Sequence, residues 1–141
     1  MKVILNKCYG GFHPSVEAYR LYAKKKGIEV YPYIMDYVSG FSRVRYKKAD
    51  DCENDNMWVQ YFTRDFGENV EIGNDDYEKY ALVLRDDYRE DPVLVEVVEE
   101  LGDKASSNVS NLVVVEIPDG MEYVIDDYDG AETLHQKVRE W

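Results

Sequence analysis

The sequence predicts an α/β fold, a single-domain sandwich over 1–141 with a largely parallel central sheet flanked by helices and a short β-meander or hairpin insertion. Three observations carry that expectation. Over residues 2–31 an apolar run, a capped amphipathic stretch and a second apolar run follow one another, the order of a β-α-β unit. The same order recurs over residues 80–117. A length of 141 residues is near the commonest domain size and buries roughly two-thirds of the unfolded surface.

Residues 2–6, KVILN, read as a short buried strand, and 7–14 as the turn behind it. Ser15 is placed to cap a helix, with Glu17 in the first turn, where the helix dipole favours an acid. Val16, Tyr19 and Ala23 recur at spacings of four and three and predict its buried stripe. Lys24, Lys25 and Lys26 crowd the last turn, and Gly27 stops it. Residues 28–31 then resume as a strand, parallel to the first if both share a sheet.

The segment 33–78 alternates only weakly. Val44-Arg45-Tyr46 and residues 58–62, WVQYF, suggest short strands or a hairpin around a polar loop at 50–56. Residues 80–84, YALVL, suit a buried central strand. Asp91 caps the next helix and Pro92 opens it; Val93/Leu94, Val97/Val98 and Leu101 share one face, and Gly102 ends it. Residues 112–117 are the strongest strand pattern in the chain. Pro118-Asp119-Gly120 turns it into a strand at 123–125, and 131–141 is read as a closing helix led in by Asp129-Gly130.

The net charge of −12 is unevenly spread. Residues 1–49 hold ten basic side chains against three acids, hence +7; residues 50–141 hold seven against twenty-six, hence −19. Such a layout serves either two faces attracting each other within one domain or an acidic surface that steers onto a basic partner. Thirteen tyrosines add to it; Tyr19 is expected in the core, and Tyr31, Tyr33, Tyr37, Tyr77 and Tyr88 at a surface rimmed by acids. Carboxylates and tyrosines also suit a nucleic-acid mimic, against which the segregated basic third argues. Direct nucleic-acid binding is not expected. No stretch approaches the ~18 apolar residues of a membrane helix, and the apolar part of the N-terminal stretch is too short for a secretion signal. Cys8 and Cys52 lack a disulfide framework, which points to reduced thiols in a cytoplasm.

In an open parallel sheet, ligands sit beyond the carboxyl ends of the strands. Two turns are expected there, 6–15 and 85–91. Asn6, Cys8, Tyr9, Gly10 and Gly11 form the first; the paired glycines allow close backbone approach, and the following helix start favours an anion. In the second, Arg85 and Arg89, with Asp86 beside them, suit a phosphate or carboxylate held in bidentate fashion. This sketches a pocket for a small anion or nucleotide, although neither a P-loop nor a G-x-G-x-x-G is present. The alternative is a tight architectural turn beside a salt-bridged loop. Cys8 is the one candidate nucleophile, with His13 and His135 the only histidines available to assist it. Asp86, Asp87, Tyr88 and Glu90 are the candidate protein interface. The carboxylates of 50–55 lack the glycine and terminal glutamate of a calcium loop, so no metal site is expected, nor any cofactor.

The segments NKCYGGF and DPVLVEVVEELG, then VVEIPDG, EY and IDDYDG, ending in Arg139-Glu140-Trp141, resemble small uncharacterised proteins of bacteriophages and prophages. The resemblance covers roughly residues 1–30 and 88–141. It departs at Phe12-His13-Pro14, where that pattern has a small residue and Leu, and at Val138, where it has His. It implies a phage accessory protein acting in the bacterial host cytoplasm. With no catalytic constellation in the chain, the leading expectation is a non-catalytic protein that binds and inhibits or modulates a host factor or defence system, such as a CRISPR nuclease. The alternative is a small-molecule or nucleotide-binding protein, or a thiol-dependent enzyme, using the 6–15 loop.

Overall fold

The computed structural model describes residues 1–39, 43–49, 59–107 and 109–137. In chain order they form β1 (Lys2–Asn6), α1 (Val16–Lys26), β2 (Tyr31–Ser39), β3 (Arg43–Lys48), β4 (Val59–Phe62), β5 (Asn69–Gly73), α2 (Asn74–Tyr80), β6 (Ala81–Leu82), α3 (Pro92–Leu101), β7 (Leu112–Glu116), β8 (Tyr123–Tyr128) and β9 (Ala131–Gln136). Short 3₁₀ turns occupy Asp86–Tyr88 and Gly102–Ala105. The polar loop at 50–56 with Cys52, and residues 138–141 with Val138, lie outside the described residues.

The helix boundaries follow the local chemistry. The Ala18 N–H donates to Ser15 Oγ at 3.1 Å, and Gly27 ends α1 at φ 70°. In α3, Asp91 Oδ1 accepts from the N–H groups of Val93 and Leu94, with Pro92 in the first turn. The buried arc of α1 is wider than the expected stripe. Ala18, Tyr22 and Ala23 are buried, and Val16 and Tyr19 half-buried. The helix meets two neighbours at once: it packs on α3, and Tyr19 stacks on Tyr61 of β4 at 5.6 Å.

The sheets correct the expected parallel α/β sandwich: every ladder among the described residues is antiparallel. β1 pairs with β7, Ile4 opposite Val114. β2 belongs to a separate five-stranded sheet of order β5-β3-β2-β4-β6, so β1, α1 and β2 form no β-α-β unit. β8 and β9 form a two-stranded hairpin. The expected middle strands do exist, as β3 and β4, on either side of β2.

Continuous apolar runs suggested strands buried on both faces of a parallel sheet. Here the β1–β7 ribbon achieves that burial by lying between two layers. Ile4, Leu112 and Val114 join Leu94, Val97 and Val98 of α3 in one cluster. Val3, Leu5, Val113 and Val115 pack instead against Tyr123 and Ile125 of β8 and Leu134 of β9. Each fully buried Val, Leu or Ile contributes about 1.5–3 kcal/mol relative to exposure. The expected central strand at 80–84 shortens to β6, at the edge of its sheet; Leu84 is buried outside any strand, its N–H donating to Tyr19 Oη at 2.9 Å.

The expected closing helix is a strand. Asp129 and Gly130 both take positive φ, 49° and 95°, in a two-residue turn that sets Tyr128 opposite Ala131. That is the primed hairpin geometry for which Asp-Gly is suited. The tyrosine expectation also needs correction. Tyr33 is fully buried, edge-on to Phe62 at 5.5 Å and to Phe66 at 6.4 Å; Tyr31, Tyr77 and Tyr88 are half-buried. The Tyr37 side chain lies outside what is described.

Candidate functional site

β1 delivers Asn6, which is wholly buried and ties three segments together. Its Nδ2 donates to the carbonyls of Cys8 (2.8 Å) and Gly130 (2.6 Å), while Oδ1 accepts from the N–H groups of Cys8 (3.3 Å) and Asn111 (2.9 Å). The glycines behind it fit by close approach. A Cβ on Gly10 would stand 1.9 Å from the Val109 carbonyl oxygen, and one on Gly130 2.5 Å from the Gly11 nitrogen. Gly11 itself has φ +105°. The NKCYGGF stretch is thus a backbone knot held by two neighbouring turns, one at 109–111 and one at 129–130.

Beside it runs the outer edge of β1. The Ile117 N–H donates to the Met1 carbonyl and the Lys7 N–H to that of Asn111, so the odd-numbered residues of β1 face β7. Ile4 and Asn6 therefore turn their backbone groups outward. Among the described residues no third strand pairs with them. The Ile4 N–H donates to the Arg89 carbonyl (2.8 Å), Arg89 Nη1 to the Ile4 carbonyl (3.0 Å), and the Asn6 N–H to Glu132 Oε1 (2.8 Å). Arg89 Nη1 and Nη2 close a bidentate pair with Glu132 at 3.1 and 2.9 Å. The guanidinium also lies 5.6 Å from the Phe12 ring centre. Burial pulls the Arg89 pKa down, but its hydrogen bonds to Glu132 and that carboxylate's charge raise it above the usual value.

The two turns meet through the hairpin and not at the carboxyl edge of a parallel sheet, and of the residues expected to form the pocket only Arg85 and Asp86 line the cleft formed there. Phe12, His13, Arg85, Asp86, Asp127 and Glu132 line one cleft. His13 and Arg85 also border a neighbouring cavity of about 120 Å³ between α1 and β4, walled by Tyr19, Tyr61, Gln60 and Leu84. Arg85 reaches both clefts and forms no ion pair with a described residue, whereas Arg89 is engaged by Glu132. Cys8 is half-buried, its backbone held by Asn6. No hydrogen bond joins it to either histidine among the described residues: His13 is exposed, and His135 Nε2 lies 2.9 Å from Asp126 on the hairpin.

Of the candidate interface, Asp86, Asp87 and Glu90 are exposed, while Tyr88 is half-buried with its ring edge-on to Tyr22 at 6.1 Å. Glu90 accepts from the Tyr123 hydroxyl, whose pKa burial and that carboxylate push up to about 12. Tyr9 is 69 % exposed, and its ring stands edge-on at 6.2 Å to that of Tyr128, 73 % exposed at the hairpin tip. Sequence reasoning did not find Glu132 or Tyr128. The Asp129-Gly130 dipeptide, with Ile125 and Leu134 at matching positions on either side, is the pattern that could have found them.

Among the described residues no group of three or more His, Cys, Asp or Glu side chains could hold a metal, and no helix is long and apolar enough to cross a membrane. The chain matches no protein-family model, no curated protein and no solved structure.

Proposed function

We propose that this chain is a non-catalytic binding protein that docks on a basic protein through the acidic end where the 85–91 loop meets the hairpin tip. In the setting its phage resemblance implies, the partner is a host factor or a component of a bacterial defence system, met in the host cytoplasm. One observation carries the reading: exposed acids of the 85–91 loop and the hairpin turn have no cation paired to them among the described residues, although other carboxylates hold several of the basic side chains. Lys2 holds Glu99, Lys25 holds Glu96 and Glu100, Lys48 holds Asp65 and Arg89 holds Glu132. The carboxylates of Asp86, Asp87 and Asp129 are exposed and form no ion pair with a described residue. The pairs of Lys2, Lys25 and Lys48 support attraction between the basic and acidic parts of the chain, and the unpaired acids with the net charge of −12 support steering of a basic partner.

The test is capture from bacterial lysate by the immobilised chain at low and high salt, with the Asp86→Asn/Asp87→Asn/Glu90→Gln variant alongside. A basic protein retained at low salt, released at high salt and bound more slowly by the variant is the expected result. Capture with the same kinetics and salt dependence in both forms would refute the docking surface. The cavity beside Arg85 supports the second reading, a small-molecule site. A small molecule co-purifying in place of any protein would favour it, and loss of activity in a folded Cys8→Ser variant would make the 6–15 turn catalytic.

A further inference from the structure

We infer that the Tyr9–Tyr128 pair and the basin beneath it form a receptor for a guanidinium group, the side chain of an arginine presented by the partner. The inference rests on the docking reading above and names the chemistry of one contact. The basin, about 300 Å³, is bordered by Tyr9, Tyr128, Asp126, Asp127 and Thr133, with Lys7 on its wall. Two large rings are left in water, yet their backbones are held in tight, closely packed turns. Tyr9 precedes the glycine pressed on Val109, and its carbonyl would lie 2.8 Å from a Cβ on Gly130. Tyr128 opens the two-residue turn, whose Gly130 N–H is bound by Asp127 Oδ1 at 2.7 Å. Aromatic surface held this rigidly loses little further conformational entropy on contact, the property that makes tyrosine an effective anchor.

The charges choose the occupant. A ring pair alone would also stack on a nucleic-acid base, but phosphates would then approach Asp126, Asp127 and Asp129. A cation is attracted both by ring faces and by carboxylates. Lys7 keeps its charge while donating to the Glu132 carbonyl at 3.0 Å, and the carboxylates of Asp126 and Asp127 outnumber it in the lining. Glu132 does not add to them, because its carboxylate is held by Arg89. Asp127 keeps its second oxygen free of any hydrogen bond with a described residue. Between the two common cations, the planar guanidinium suits the site better than an ammonium: it stacks on a ring while donating in its own plane.

The experiment titrates the full chain with N-acetyl-argininamide, N-acetyl-lysinamide and N-acetyl-alaninamide, following tyrosine ring and backbone resonances by NMR. Saturable shifts at Tyr9, Tyr128 and Thr133 are expected with the arginine probe, at a Kd on the order of 1–10 mM. The lysine probe should bind at least about threefold more weakly, and the alanine probe should give no saturable shift. Tyr9→Ala and Tyr128→Ala, both at exposed positions, should each abolish the response in folded protein. Shifts located elsewhere, shifts that survive both substitutions, or equal response to all three probes would overturn the inference. Partner capture that depends on Asp86, Asp87 and Glu90 but survives Tyr128→Ala would overturn it while leaving the docking reading in place. A positive titration without any partner capture would do the reverse.

Discussion

Replacing Glu132 by Ala should cost about 3–5 kcal/mol of stability, a large share of the roughly 5–15 kcal/mol of a natural domain. The magnitude follows from what the substitution strands. The side chains of Arg89 and Glu132 are only 12 % and 6 % exposed, so little water screens the pair. Without the carboxylate, the guanidinium loses both bonds to it and keeps, among the described residues, the Ile4 carbonyl, the Phe12 ring and the more distant charge of Asp86. The Asn6 N–H is orphaned as well, a desolvation penalty of about 1–3 kcal/mol within that total. Lys2→Met is the internal control: Lys2 and Glu99 are 45 % and 43 % exposed, and loss of their solvent-screened pair should leave the midpoint nearly unchanged. Urea unfolding followed by far-UV circular dichroism measures both, the midpoint moving at constant slope. A Glu132→Ala loss below about 1 kcal/mol, the range of exposed pairs, would refute the idea that this carboxylate closes the β1 edge.

Gly10→Ala should lower the melting temperature sharply, since its Cβ would fall 1.9 Å from the Val109 carbonyl oxygen, whereas Gly27→Ala, with open space around it, should cost only about 1 kcal/mol for its left-handed backbone. Comparable calorimetric melts for the two would contradict the packing at the knot. Proline scanning of β7 should show parity: Val115 bonds inward to Val3, so Val115→Pro removes a ladder bond and strands the Val3 carbonyl at about 1–3 kcal/mol, while the Val114 N–H points away from β1 and Val114→Pro should be clearly milder. Equal losses in urea would mean that the ladder phase is wrong. Stability should fall in alkali, because Tyr22 and Tyr123 have folded pKa values raised to about 12, by burial first and by nearby carboxylates second. A raised folded pKa gives stability that is complete below the unfolded value near 10 and lost as pH climbs through 12, about 2–3 kcal/mol for the buried Tyr22. Urea midpoints across that window, flattened in Tyr22→Phe, are the check.

The helices were legible because their signals are local. Ser15, Gly27, Asp91, Pro92 and Gly102 each act on backbone groups within four residues, and all five stand at helix ends as read. Sheet partnership was not legible, because an apolar run records burial and not its source. Leu112 to Ile117 would look the same beneath the helices of a parallel sheet as between α3 and a hairpin. The candidate site was legible by halves. The 6–15 and 85–91 turns do converge, but the expected anion grip of Arg89 is taken by Glu132, 43 residues downstream, in a segment read as helix. A carboxylate that far away leaves no trace in the spacing around the arginine. The one available clue was Asp129-Gly130, whose turn geometry outweighs any helix preference of the residues after it.

That missed hairpin joins the core to the surface. Tyr128 and Glu132 are four positions apart in the chain, and the two-residue turn between them fixes the offset. The rigidity that lets Glu132 stand in for a third strand is the same rigidity that holds Tyr128 against Tyr9. A β-α-β unit would have needed the outer edge of β1 for a parallel neighbour; once Arg89 and Glu132 occupy it, the strand after α1 must pair elsewhere, and β2 does so with β3 and β4. The ion pair thus occupies the edge a parallel neighbour would need, with Glu132 on the same hairpin that carries Tyr128. Changes at Glu132 or Arg89 would disturb folding and binding together, so the docking surface has to be probed at Tyr9, Tyr128 and the exposed acids, where a side chain can be removed without opening the edge beneath it.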